Sequence, residues 1–416
     1  MKSGALWSFT GTALGKMLIF LSGIICARIL GKELFGELGM VRSTLGMFII
    51  LGAGGIGVTA TRYIAAFRND QKRHAASIYH MSTLFTLACG ITITIIALVI
   101  SQCLAEHYLK SPALTRPLLI GSIILLLSIL NSSENGTLAG LENFKMIAIN
   151  TLIGSCIEAV CMIVGAYYYQ LEGAIAGFGI GVVSLYVANK IAAIKALQQA
   201  DINTSKKSIY KEDWKLIFSY SIPATLSALT VTPVFWLVRS MLVRNSNYGE
   251  LGVFEAADQW KVILLFIPGA ICQIVLPIMS SITDHRIFRK ALAANLALIG
   301  SIAAMLACLS WVAAPALMPL YGKTFTDTAT ITALAFSTIP TAIAQMLEMT
   351  LYSKEKMWIC FGFNIVWAIA TVALSHLFLE YQQGAFGIAM AILLAYILKL
   401  LCMGSYLSII TKGGKR

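Results

Sequence analysis

Gln199-Ala200-Asp201-Ile202-Asn203-Thr204-Ser205-Lys206-Lys207-Ser208-Ile209-Tyr210-Lys211-Glu212-Asp213-Trp214-Lys215 is a polar interruption in a chain that is apolar almost throughout. Before it, apolar segments fall at about 6–30, 39–61, 75–104, 114–138, 146–170 and 173–198. After it they fall at about 216–243, 251–281, 290–320, 329–352, 357–379 and 384–410. A helix needs ~20 apolar residues to cross a bilayer, so six crossings lie on each side of the interruption. The other connections are short. The expected architecture is therefore all-α and polytopic, with about twelve transmembrane helices: a six-helix bundle over 1–198, a cytoplasmic linker over 199–215 and a second six-helix bundle over 216–416.

Composition excludes the alternatives. Of the 416 residues, 58% are hydrophobic and 12% charged, and the mean hydropathy is +0.80. Soluble domains run at about 45–50% apolar and about 25% charged. Disorder requires the opposite balance, little hydrophobicity and high charge. Transmembrane β-strands would alternate apolar and polar residues over about ten positions, whereas these runs are continuous. The first segment is longer than the apolar core of a signal peptide and lacks a convincing cleavage site, so it reads as a retained span.

Lys and Arg total 31 against 19 Asp and Glu, a net charge of +12. Its distribution follows the excess of basic residues on cytoplasmic loops. With the N-terminus inside, the cytoplasmic side carries Lys2, Arg62, Arg68, Lys72, Arg73, Lys145, Lys195, Lys206, Lys207, Lys211 and Lys215. It also carries Arg286, Arg289, Lys290, Lys354, Lys356, Lys412, Lys415 and Arg416, nineteen in all. The opposite side has six: Lys32, Lys110, Arg116, Arg239, Arg244 and Lys323. Both termini are expected in the cytoplasm, and the positive charge reflects topology rather than nucleic acid.

The halves also share a repeat. Phe35-Gly36-Glu37-Leu38-Gly39 returns as Tyr248-Gly249-Glu250-Leu251-Gly252, offset by 213. Lys145-Met146 returns as Lys356-Met357 and Gly173-Ala174 as Gly384-Ala385, both offset by 211. An even number of helices per half gives the two bundles one orientation, related by an axis along the membrane normal, a known transporter plan.

Ala27-Arg28-Ile29-Leu30-Gly31-Lys32-Glu33-Leu34-Phe35-Gly36 resembles the first helix end and outer loop of bacterial polysaccharide flippases of the Wzx type. Gly57-Val58-Thr59-Ala60-Thr61-Arg62-Tyr63-Ile64-Ala65 and Leu138-Ala139-Gly140-Leu141-Glu142-Asn143-Phe144-Lys145 resemble the same family. Its superfamily also holds the MATE multidrug exporters and the lipid II flippase. The resemblance implies a V-shaped, MATE-like pair of bundles in the bacterial inner membrane. It also implies export of an undecaprenyl-pyrophosphate-linked oligosaccharide, such as an O-antigen repeat unit, to the outer leaflet by alternating access. No cofactor is implied beyond coupling to a proton (H+) or a sodium ion (Na+). The expected partners are the lipid-linked glycan, the lipid bilayer and the polymerase and chain-length proteins of the same pathway.

Several motifs carry no chemistry. Gly52-Ala53-Gly54-Gly55-Ile56-Gly57 matches a dinucleotide fingerprint, but that fingerprint needs a preceding strand. Here the glycines are expected inside an apolar helix, allowing close packing. The nine cysteines and five histidines show no zinc spacing,. Seven prolines, Pro223, Pro233, Pro268, Pro277, Pro315, Pro319 and Pro340, fall in or near second-half segments, where they can kink helices.

The charges inside the spans matter more. An ionisable group at the bilayer centre costs at least ~2.5 kcal/mol and normally faces protein or a watery cavity. Lys16, Arg42, Glu134, Glu158, Lys190, Glu255, Asp258, Lys261, Glu348 and Lys399 fall within the apolar segments. Glu255, Asp258 and Lys261 share one face at ~100° per residue. Arg28 and Arg239 sit near span ends, where long side chains snorkel. As a cavity lining, Lys16, Arg28, Arg42, Arg239 and Lys261 would bind a pyrophosphate and acidic sugars, and Glu255 or Asp258 would carry the coupling ion. Internal pairing, as between Asp258 and Lys261, is the competing reading. A cation-coupled multidrug exporter is the functional alternative, and a polysaccharide polymerase, which needs a large outer loop, is the enzymatic one.

Overall fold

The computed structural model describes residues 2–53, 55–203, 210, 213–214, 221, 229–272, 284–353 and 356–413. Lys206, Lys207, Lys211, Lys215, Pro223, Pro277, Lys354, Lys415 and Arg416, named above, lie outside the described residues, as does Gly54. Among the described residues the chain is helical with short connections and no strand. Eight apolar runs are long enough to cross a membrane. Two of these, of 43 and 56 residues, are long enough for two crossings, and each is broken midway.

Lys2–Ala53 has 52 residues, about 78 Å at 1.5 Å per residue, more than twice the ~30 Å hydrocarbon core. It breaks at Gly31 (φ 76°, ψ 172°) into α1 (residues 2–30) and α2 (residues 32–53). Phe144–Gln199 breaks at Tyr169 and Gln170 into α6 (residues 144–168) and α7 (residues 171–199). Between them run α3 (Ile56–Phe67), α4 (Lys72–Cys103) and α5 (Thr115–Gly140). After the linker come α8 (Thr232–Asn245), α9 (Tyr248–Leu264), α10 (His285–Leu317), α11 (Thr328–Ser353), α12 (Met357–Glu380) and α13 (Gly384–Gly413). Helices α2 and α3 occupy one expected span, and α8 and α9 fall in the segments expected at 216–243 and 251–281. All twelve expected spans thus have a helical counterpart.

The glycine-rich stretch 52–57 departs from expectation in one respect. Gly55 takes a left-handed conformation (φ 64°) and separates α2 from α3, so the motif interrupts a helix. Its packing role is visible on both sides of the break. Gly52 lies against Ile129, and Gly57 lies against the backbone of Ser132 and Gly136.

Packing divides the chain into two compact units: Met1–Leu30 with Glu37–Pro233, and Gly31–Gly36 with Val234–Arg416. In the first unit α6 and α7 form an antiparallel hairpin. Gly173 faces Gly165, Gly177 faces Cys161 and Gly181 faces Glu158, leaving no room for a Cβ on any of the three α7 glycines. Three asparagines bridge these helices to α5: Asn150 donates to Asn189 at 2.9 Å, and Asn189 donates to Asn131 at 2.9 Å. Such amide chains satisfy polar atoms that lipid cannot.

In the second unit two of the sequence repeats meet. Gly36, from the first copy, lies against the backbone of Tyr248 and Gly252, from the second. Glu250 of the same copy accepts from the Ala385 N–H at 2.9 Å. This satisfies a donor at the start of α13, at the Gly384-Ala385 pair that is itself a repeat of Gly173-Ala174. Gly384 has φ 52°, and a Cβ there would strike the Glu250 carboxylate, so both conformation and space call for glycine. Other helix starts are capped by Asn143, Asn247 and Asp284, as this side-chain class favours.

Candidate ion-pair site

Among the described residues, the ion pairs between Arg or Lys and acidic residues buried within the expected spans fall into four groups, two in each unit. In the second unit Arg239 on α8 reaches both acidic residues of α9. Its Nε donates to Glu255 Oε1 at 2.5 Å and its Nη2 to Asp258 Oδ2 at 2.9 Å. Its Nη1 donates to the Phe235 carbonyl at 3.5 Å. Lys261 Nζ donates to Asp258 Oδ1 at 3.2 Å, one turn along the shared face. The guanidinium stands over the Phe254 ring at 5.3 Å and Lys261 over Phe235 at 4.9 Å. Arg239, expected to snorkel from a helix end, is instead 11% exposed and ion-paired. Two carboxylates one turn apart on α9 outcompete the interface for it. The group balances two cations with two carboxylates, as buried charge requires.

A second group in this unit joins α11, α12 and α13. Lys399 Nζ donates to Glu348 Oε1 at 2.7 Å and to Asn364 Oδ1 at 2.6 Å. The rings of Phe235, Trp367 and Tyr396 pack at tilted angles between the two groups, with centroids 5.6 and 5.2 Å apart.

The first unit has a matching pair. Lys190 Nζ on α7 donates to Glu134 Oε1 on α5 at 2.6 Å and to Tyr79 Oη on α4 at 2.8 Å. Glu134 and Glu348 lie 214 residues apart, and Lys190 and Lys399 lie 209 apart, close to the repeat offset. Each half thus carries the same Glu–Lys bond between its fourth and sixth spans.

The remaining group centres on Arg42 of α2. Its Nη2 lies 3.6 Å from Glu158 Oε1 on α6, and its Cζ lies 5.1 Å from the centre of the Phe178 ring on α7. The Arg42 side chain is 31% exposed and the Glu158 side chain 12%, so a buried carboxylate backs an accessible cation. Lys16 and Arg28 lie on exposed faces of α1. Of the seven residues singled out in the sequence, the structure brings four together, Arg239, Glu255, Asp258 and Lys261. Arg42 pairs elsewhere, with Glu158. Arg42 and Glu255 lie 213 residues apart, the offset of the first repeat, and each is one half of an ion pair. Phe178 gave no signal in the sequence as a cation's neighbour, because its contact depends on how α2 meets the α6–α7 hairpin.

The family described as polysaccharide biosynthesis protein matches residues 1–283. A curated relative, the EPS I polysaccharide export inner membrane protein EpsE of Ralstonia nicotianae, is 25% identical over 191 residues, 45% of this chain and 44% of its own. The Ralstonia solanacearum protein of the same name is also 25% identical, over 195 residues. The match spans under half the length of these relatives. Among solved structures, an inward-facing multidrug resistance MATE family transporter of the MOP superfamily aligns with a TM-score of 0.83 at 17% identity, covering 98% of this chain and 100% of that one. The lipid II flippase MurJ in an inward closed conformation aligns at 0.75 and 15% identity, covering 97% and 87%. At these identities the likeness is one of fold: this chain has the all-helical fold of those transporters.

Proposed function

The chain belongs to the polysaccharide biosynthesis protein family, and from that premise we propose that it is a flippase for a lipid-linked glycan. The substrate is an undecaprenyl-pyrophosphate-linked oligosaccharide repeat unit, of O-antigen or a similar surface polysaccharide. It passes by alternating access from the cytoplasmic to the outer leaflet of the inner membrane, and both termini of the protein are cytoplasmic. No covalent bond is made or broken. Polymerase and chain-length proteins act next on the exported unit.

The observation that carries this reading is Arg42, an accessible guanidinium within an apolar helix bundle, backed by a buried carboxylate and an aromatic face. A pyrophosphate crossing an apolar layer needs cations, and a guanidinium presents paired donors to its oxygens. Lys16 and Arg28, exposed on α1, add positive charge in the same unit. Arg239 has three nitrogens engaged by protein acceptors, so with Lys261 it orders Glu255 and Asp258. Those carboxylates are the proposed site for the coupling H+ or Na+.

Deleting the gene and following lipid-linked intermediates tests the reading. Surface polymer should disappear while complete repeat units accumulate on the cytoplasmic leaflet. Intermediates that cross normally but stay unpolymerised would refute it in favour of a polymerase. Intact polymer with raised drug accumulation would refute it in favour of the multidrug export that the fold likeness also suggests.

A further inference from the structure

Glu158 and Phe178 together hold the side chain of Arg42, and we propose that they are positioning residues that aim its guanidinium at the diphosphate of the substrate. The inference rests on the proposed flippase reading, since it presumes an anionic group arriving at Arg42.

Three helices of one unit contribute. Arg42 projects from α2, Glu158 from α6 and Phe178 from α7. The carboxylate lies behind the cation: Glu158 is the less exposed partner, and its Oε1 accepts no hydrogen bond. The 3.6 Å separation from Arg42 Nη2 exceeds a hydrogen bond. The pair is electrostatic, and it leaves the guanidinium N–H groups uncommitted to that carboxylate. The Phe178 ring, 5.1 Å from Cζ, adds a face for the cation, a contact that grows stronger as water is excluded.

Local packing explains how α6 and α7 bring Glu158 and Phe178 to the same cation. Gly181 stands one turn beyond Phe178, and a Cβ at that position would collide with Cβ and Cα of Glu158. The missing side chain lets α7 lie directly on α6 at Glu158, one turn from Phe178, so both residues can reach Arg42. Arg239 shows the contrasting arrangement. There two carboxylates and a carbonyl take three guanidinium nitrogens by direct hydrogen bonds, a geometry that consumes donors.

Positioning predicts effects on affinity that depend on Arg42. Inorganic pyrophosphate is the probe, titrated into the purified full-length protein in detergent with binding read by calorimetry. Arg42→Ala should raise the Kd about a hundredfold while leaving residual binding that can still be measured. Glu158→Ala should raise the Kd about tenfold and Glu158→Gln about threefold, because a misaimed guanidinium loses more than the anion gains from removal of the neighbouring carboxylate charge. Phe178→Leu should raise it about threefold. The double variant Arg42→Ala/Glu158→Ala should bind no more weakly than Arg42→Ala alone, because residues acting through one group are not additive.

A merely structural role for Glu158 would instead weaken the double variant beyond Arg42→Ala. Where Glu158→Ala does not fold, Glu158→Gln and Phe178→Leu still decide the matter. Wild-type or tighter binding by both of them, with Arg42→Ala defective, would overturn the positioning role while leaving Arg42 as the anion ligand. Unaltered binding by Arg42→Ala would instead overturn the assignment of Arg42 on which the inference rests.

Discussion

Arg239 is the residue whose removal should cost most. Its guanidinium neutralises Glu255 and Asp258 inside the second unit, and stripping one partner from a buried ion group leaves an uncompensated charge. That costs ~3–5 kcal/mol. Arg239→Met should therefore lower the thermal midpoint strongly, and adding Glu255→Gln should recover much of the loss by removing the orphaned charge. Fluorescence-detected size exclusion after graded heating reads both outcomes, and a double variant no more stable than Arg239→Met would contradict the pairing. The contrast is Arg68 with Glu142, 2.7 Å apart but half exposed at the carboxylate, where an exposed pair is worth under ~1 kcal/mol. Sequence reasoning could place Glu255, Asp258 and Lys261 on one helix face because that is local geometry. It could not see Arg239 turning inward, nor Glu158 and Phe178 beside Arg42, because those contacts depend on which helices become neighbours.

Among the helices, the α6–α7 hairpin shows what glycine spacing accomplishes. Gly173, Gly177 and Gly181 recur every fourth residue on α7, the spacing that lets membrane helices approach closely. A Cβ on Gly177 would enter the backbone at Cys161. Gly46 on α2 is also helical, yet a Cβ there meets nothing within 4 Å. Alanine favours a helix over glycine by ~1 kcal/mol. Gly46→Ala should therefore be neutral or slightly stabilising, whereas Gly177→Ala should destabilise by about 2–3 kcal/mol through overpacking. Equal thermal midpoints for the two variants would show that the seam tolerates separation. The limits of α6 and α7 were legible to within two residues, since apolar runs end where polar residues begin. The helix break at Gly55 was not. One left-handed residue leaves the hydropathy of a span unchanged, so composition gives no sign of it.

Across the whole molecule, the repeat and the charge asymmetry carry the argument. Three short matches suggested a doubled chain, and the structure supplies reasons for two of them. Gly36 and Gly252 allow close approach, and Glu250 caps the helix opened by Gly384-Ala385. The Glu134–Lys190 and Glu348–Lys399 bonds add a fourth correspondence. It was harder to read because these four residues lie in no string that repeats between the halves. The charge asymmetry predicts the orientation proposed above. Inverting the chain would carry nineteen basic residues to the outer side in place of six, one of which, Arg239, is ion-paired within its helix bundle, against the rule that basic segments remain cytoplasmic. A green fluorescent reporter at the C-terminus should therefore fluoresce, since it folds only in the cytoplasm. Alkaline phosphatase inserted beside Lys323 should be active, because the charge asymmetry assigns that loop to the oxidising side, and the same enzyme inserted at Lys206 should be inactive. An active fusion at Lys206 with an inactive one beside Lys323 would invert the topology. The helix bundles would stand, but the α5–α6 and α11–α12 turns would then face outward, and the direction assigned to transport would reverse.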